Sequence, residues 1–257
     1  MEQVIAWLMS LMVSVAPPGR KLYIPEAQET VEEATTRYED IARDTAYVVW
    51  DPLEKPIFRG SRGRIRTTLV LYAVISYESA FRKDVDTGEG PMSKGDGGKS
   101  WCLNQVNLGK KDGLGNTPYR IVVNIGGGYK FTTKPDEGWS GQDLVDDRQK
   151  CLHAALAVLR SSFSACSALP IENRLDQYAS GHCDRGEEAS QRRMGLALLW
   201  MSRKMPSFKD DDVMGWLEED KRPTELSPET QLVVSKNDIL DLTSLPPMVG
   251  VFKPNRY

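Results

Sequence analysis

Leu69-Val70-Leu71-Tyr72-Ala73-Val74-Ile75 is a run of seven consecutive apolar residues. A run that short also fits a buried strand. Its flanks, Arg64-Ile65-Arg66 before and Tyr77 to Arg82 after, extend the pattern to about twenty residues, which favours a helix. Being apolar all round, this helix is expected inside the domain rather than on its surface. Asp86-Thr87-Gly88-Glu89-Gly90-Pro91 then ends it.

Around that helix the chain divides into three zones. Residues 1–60 read as an N-terminal helical segment, broken at Pro17-Pro18 and again from Asp51-Pro52 to Gly60. Met1 to Ala16 reads as an amphipathic helix that packs on the body or on a partner. Pro25 to Trp50 reads as one helix, with Pro25 in its first turn and Glu26, Glu29, Glu32 and Glu33 near its positive end. Residues 61–205 form the main domain. Gly88 to Gly141 holds 13 of the 21 glycines, so a lobe of loops and short strands is expected, with Tyr119 to Asn124 as the best strand and Gly126-Gly127-Gly128 a turn. Helices return at Asp143 to Phe163, with Ser140 and Asp143 as a capping box, and at Glu187 to Met205. Residues 206–257 hold six of the 15 prolines and read as an extended C-terminal arm that lies along the domain or another subunit, with a short helix around Trp216-Leu217. The fold class expected is α+β, mostly helical.

Thirty-three Lys and Arg against 36 Asp and Glu give a net charge of −3, which argues against a dedicated nucleic-acid binder. No stretch reaches the roughly 18 apolar residues of a membrane span. The N-terminal helix lacks the basic start and small-residue cleavage site of a secretory signal, so none is read here. The four cysteines, Cys102, Cys151, Cys166 and Cys183, allow three pairings, and the default reading is reduced thiols. Cys151, His153, His182 and Cys183 offer four soft ligands for a zinc ion, although their spacing matches no established zinc pattern.

Glu78 has Val74 one turn before it and Phe81 one turn after. A carboxyl in such a setting loses hydration, and desolvation favours its protonated form, which is what a general acid requires. The bland alternative is an outward-facing Glu78 paired with Arg82. Two further motifs follow in order: Ser100-Trp101-Cys102-Leu103-Asn104-Gln105-Val106-Asn107, and Gln177-Tyr178-Ala179-Ser180-Gly181.

The series resembles the lysozyme-like soluble lytic transglycosylase family. That family shows Glu-Ser at a helix end, then Ser-x-Gly-Leu-Met-Gln, then Ala-Tyr-Asn-Ala-Gly. Glu78, Ser79, Ser100, Leu103, Gln105, Tyr178 and Gly181 match, while Cys102, Asn104 and Ala179 replace a Gly, a Met and an Asn. The resemblance spans about residues 64–205. It implies a lysozyme-like domain that cleaves the β-1,4 bond between N-acetylmuramic acid and N-acetylglucosamine in peptidoglycan. Glu78 would protonate the glycosidic oxygen and then act as base on the C6 hydroxyl, closing a 1,6-anhydro ring without water, cofactor or metal. Ser100, Gln105, Tyr178 and Gly181 would form the substrate site, with the Tyr178 hydroxyl orienting Glu78. A water-using muramidase of the inverting kind needs a second carboxylate, for which Asp84, Asp86 and Asp96 are the candidates.

Trp101, Tyr119, Tyr129 and Trp139 suit either sugar rings or core packing. Arg192 and Arg193 suit either peptide-stem carboxylates or a helix face, and the helix face is favoured. With no export signal read, the expected setting is a phage virion that delivers the enzyme to the cell wall. The termini would then dock other tail or ejection proteins, with no nucleic acid and no stable membrane span. The competing readings are a structural virion or scaffold protein with a degenerate lysozyme-like domain, and a zinc-dependent protein.

Overall fold

Helix α3 (Gly63–Glu78) is buried along almost its whole length, from Ile65 to Ser76 with Arg66 alone exposed. The computed structural model describes residues 1–108, 121–124, 129–132 and 138–220, and the rest of the chain lies outside the described residues. The central helix is wrapped by α1 (Glu2–Val15), α2 (Val31–Val49), α6 (Arg148–Ala165), α8 (Glu187–Arg203) and α9 (Asp210–Asp220). The described residues are mostly helical, with two antiparallel two-stranded ladders. Strands β1 (Ser100–Trp101) and β2 (Val106–Asn107) make the first, with Ser100 opposite Asn107. Strands β3 (Ile121–Asn124) and β4 (Tyr129–Thr132) make the second, with Asn124 opposite Tyr129. Short helices α4 (Lys83–Thr87), α5 (Gly141–Asp146) and α7 (Asp176–Ser180) connect these parts.

The N-terminal zone shares this core. Val4, Leu8, Leu11 and Met12 of α1 are fully buried against α2 and α3, and the Trp7 indole donates to the Lys204 carbonyl at 2.7 Å. Residues 1–60 therefore share one hydrophobic cluster with residues 61–205, because the apolar face of α1 is consumed within its own chain. The expected helix from Pro25 divides. Pro25–Ala27 is a single 3₁₀ turn, and α2 starts at Val31 after a Thr30/Glu33 capping box. That box satisfies two terminal N–H groups reciprocally, which fixes the start there.

Two further boundaries depart from expectation. The helix expected over 143–163 keeps its Ser140/Asp143 box but breaks at Asp147, whose carboxylate accepts from the Gln149 and Lys150 amides and starts α6 anew. The arm expected from 206 starts with the helix expected around Trp216-Leu217, longer than expected and packed on the core, since α9 buries Val213 and Leu217, and Phe208 lies between Trp7 and Trp216. Asp210 explains why. Residue Arg62 offers α3 no side-chain cap, and the Asp210 carboxylate accepts from the Arg64 and Ile65 amides at 2.9 and 3.0 Å. Helix α9 thus supplies the N-cap that α3 lacks locally. Tyr119, Gly126 to Gly128 and the arm over 221–257 lie outside the described residues, as do the surroundings of the Tyr129 side chain.

Candidate functional site at the end of helix α3

Glu78 is the last residue of α3, and the chain turns sharply after it. Ala80 and Phe81 both take left-handed backbone conformations, φ 50° and 53°. Such angles are costly for residues with a Cβ and persist only where the surroundings hold them. Here the holders are two arginines. Arg20 donates to the Ala80 carbonyl and Arg37 to the Phe81 carbonyl, while the Ser79 hydroxyl accepts from the Phe81 amide. The other left-handed non-glycine residues described are Asp96, Cys102 and Gln105. All five fall within residues 80–105, in or between the first two of the three motifs. Strain of this kind collects at functional sites.

The second motif forms the β1–β2 hairpin. Cys102, at φ 58°, takes the conformation for which glycine is the usual residue, and its sulfur is bonded to Cys151 on α6. The turn is therefore compatible with Cys102 in the glycine position. Gln105 knits the loop together. Its side-chain oxygen accepts from the Gly95 amide, and its nitrogen donates to the Ser93 and Cys102 carbonyls. The buried Ser100 hydroxyl donates to Asp96 at 2.6 Å. Both side chains, expected to meet sugar, are engaged in shaping the hairpin, since a loop with this much strained backbone needs its polar atoms paired internally.

The third motif is α7. Tyr178 donates its hydroxyl to the Asn104 carbonyl rather than to Glu78, so it fastens α7 to the hairpin. Gly181 ends α7 at φ 80°, a backbone role. Glu78 is nevertheless near enough for its charge to act on the Tyr178 phenol. Burial, and then the nearby negative charge of Glu78, push the Tyr178 phenol well above its usual range.

The partner of Glu78 is Arg193 on α8. Its Nη2 donates to Glu78 Oε1 at 2.5 Å, and its guanidinium carbon lies 5.8 Å from the centre of the Tyr178 ring. The two side chains are 13% and 19% exposed. Burial raises the Glu78 carboxyl above the usual glutamate value, Arg193 opposes the rise, and Asp96 adds to it. The direction is upward, as expected for a carboxyl shut away from water. The sequence favours a helix-face role for Arg193. The signal that finds it is spacing: Ser190, Ala197 and Trp200 are buried, and Arg193 occupies the same stripe three, four and seven residues away.

Of the three candidate second carboxylates, Asp84 is held by Arg82, and Asp86 by Arg148 and Arg37. That leaves Arg82 no longer the partner of Glu78. Asp96 remains, beside Ser100 and Asn107 and close enough for its charge to act on Glu78.

The Trp101 ring lies against Gly141 at the start of α5. Lys94 lies 4.2 Å from the Trp101 ring centre, and Trp139 is near His153. All four cysteines are paired, Cys102–Cys151 and Cys166–Cys183, which corrects the expectation of reduced thiols. The Cα atoms lie 6.1 and 5.4 Å apart, within the span a disulfide bridges, so folding alone brings the partners together. Two of the four zinc candidates are therefore sulfurs committed to disulfides, and His153 hydrogen-bonds Glu54. Among the described residues no group of three or more His, Cys, Asp or Glu side chains is placed to hold a metal ion, and no helix is long and apolar enough to cross a membrane. Comparison with protein-family models, curated proteins and solved structures gave no match to this chain.

Proposed function

We propose that the chain is a peptidoglycan-cleaving glycosidase on a lysozyme-like domain, acting as a lytic transglycosylase with Glu78 as its acid and base. The observation that carries this reading is the position of Glu78. It is a largely buried carboxyl with an upward-shifted titration, at a strained helix end, paired with an arginine that also stands over the Tyr178 ring of the third motif. Engagement of Asp84 and Asp86 in ion pairs favours the route that needs one carboxylate. Asp96 is the residue through which a water-using muramidase would work. Delivery to the wall in a phage particle belongs to the same proposal, and mass spectrometry of purified virions tests it.

The experiment is digestion of purified sacculi with analysis of the muropeptides by mass spectrometry. Products lighter by one water mark the anhydro route, and reducing-end products mark hydrolysis. Glu78→Gln is expected to lower the rate by about 10²–10⁴-fold. One observation favours the scaffold reading instead: Arg193 neutralises Glu78 at 2.5 Å, which is also how a buried carboxylate is made inert. A parent protein that releases no muropeptide at any pH would decide for the scaffold.

A further inference from the structure

We infer that Arg193 is a positioning residue that lets one carboxyl serve first as acid and then as base. The inference rests on the glycosidase reading. In that reaction the protonated Glu78 gives its proton to the glycosidic oxygen as the bond from C1 breaks and the electron pair leaves with the oxygen. The resulting carboxylate then takes the proton of the C6 hydroxyl as that oxygen bonds to C1. The proton returns to Glu78, and no water is consumed.

The two halves make opposite demands. A carboxyl enclosed by apolar walls holds its proton, and the anion left after donation is costly there. A carboxylate fully engaged by cations has no proton to give. Arg193 meets the two demands with one contact, Nη2 to Oε1 at 2.5 Å. Its Nε and Nη1 are buried and have no hydrogen-bond partner in the protein, while the guanidinium carbon lies 5.8 Å from the Tyr178 ring centre. The guanidinium is thus held by the walls of the site and makes its ion pair with Glu78. The other groups facing Glu78 are Asp96 from the turn before β1, whose charge favours the proton, and the phenol of Tyr178 from α7, kept neutral by burial. Arg192, the neighbour of Arg193, turns outward to Glu188.

The test follows Glu78 directly. Protein carrying ¹³C in its glutamate carboxyls is titrated by NMR, the Glu78 signal being the one lost in Glu78→Gln. Arg193→Met is expected to raise the Glu78 midpoint by about one pH unit or more, and Arg193→Lys to leave it nearer the parent value. On sacculi, the pH at which activity falls on the alkaline side moves up with that midpoint, and kcat drops about tenfold with KM changed less than about threefold. A Glu78 midpoint in Arg193→Met within about 0.3 unit of the parent overturns the inference. Where Arg193→Met does not fold by circular dichroism, Arg193→Gln carries the test. Its neutral amide removes the cation and is expected to raise the midpoint as well, and a midpoint in Arg193→Gln within about 0.3 unit of the parent overturns the inference. An active parent with an unmoved midpoint overturns the role of Arg193 only, whereas an inactive parent overturns the glycosidase reading and this inference together.

Discussion

The hydroxyl of Tyr178 donates to the backbone carbonyl of Asn104, 74 residues earlier in the chain, and so joins α7 to the hairpin beside Glu78. Tyr178→Phe removes only this bond and leaves a carbonyl without its donor. The expected loss of stability is about 1–2 kcal/mol by denaturant unfolding. Because the hairpin wall loosens while Glu78 and Arg193 stay in place, KM on soluble glycan fragments should rise more than kcat falls.

Activity that requires protonated Glu78 falls as pH rises through the Glu78 midpoint, and that midpoint lies above the ordinary glutamate value. Removing the charge of Asp96 lowers it. Asp96→Asn is therefore expected to move the alkaline fall of activity to lower pH, read from rates on sacculi across a buffer series. Persistence of anhydro products in this variant would assign Asp96 an electrostatic role, while loss of all products would assign it the water.

Asp210→Ala takes away the carboxylate that accepts from Arg64 and Ile65 at the start of α3. The expected cost is about 1–2 kcal/mol, the usual value of an N-cap. Thermal unfolding measures it, and hydrogen exchange should quicken at the first turn of α3 before the rest of that helix.

Glu54 is 3% exposed and bonded to both His153 and Arg160. Burial alone would raise its carboxyl, but the His153 hydrogen bond and the Arg160 charge prevail and hold it below the usual glutamate range. A depressed carboxyl contributes stability that is complete above its unfolded value, about 4.3, and is lost as pH falls through its folded value. Glu54→Gln should therefore cost about 3 kcal/mol at pH 7, with the gap to the parent closing below about pH 4. Urea unfolding at the two pH values checks the sign.

Reduction of the disulfides should destabilise the domain. The bridges span 49 and 17 residues, and chain-entropy estimates assign about 4 and 3 kcal/mol to loops of those lengths. Cys166→Ser with Cys183→Ser is expected to lower the unfolding midpoint and to weaken substrate binding, since that bridge holds the segment following Tyr178.

What was readable in the sequence followed from signals that are strong by themselves. An apolar run on every face specifies a buried helix whatever surrounds it, so α3 was legible, and Glu78 with it. The Ser140 box was legible because both partners lie within one turn. Arg193 was missed because a charged residue on a helix is usually solvated, and only its register with Ser190, Ala197 and Trp200 marks it as inward. Asp210 was hidden more deeply. Its use as a cap for α3 depends on a contact across 146 positions, and the prolines and the aspartate run of its neighbourhood suggested an arm. Ser100 and Gln105 are read from the sequence as sugar-binding residues, and the structure shows their polar groups holding a strained loop in shape, a demand that local sequence does not announce.

The Cys102–Cys151 bridge encloses residues 103–150, and residues 109–120 belong to that enclosed stretch. A protease that severs one peptide bond between the two sulfurs would leave both halves tethered, with the hairpin still anchored to α6. Cys102 and Cys151 therefore stay joined whatever is cut between them, as a clasp holds when the cord through it is severed.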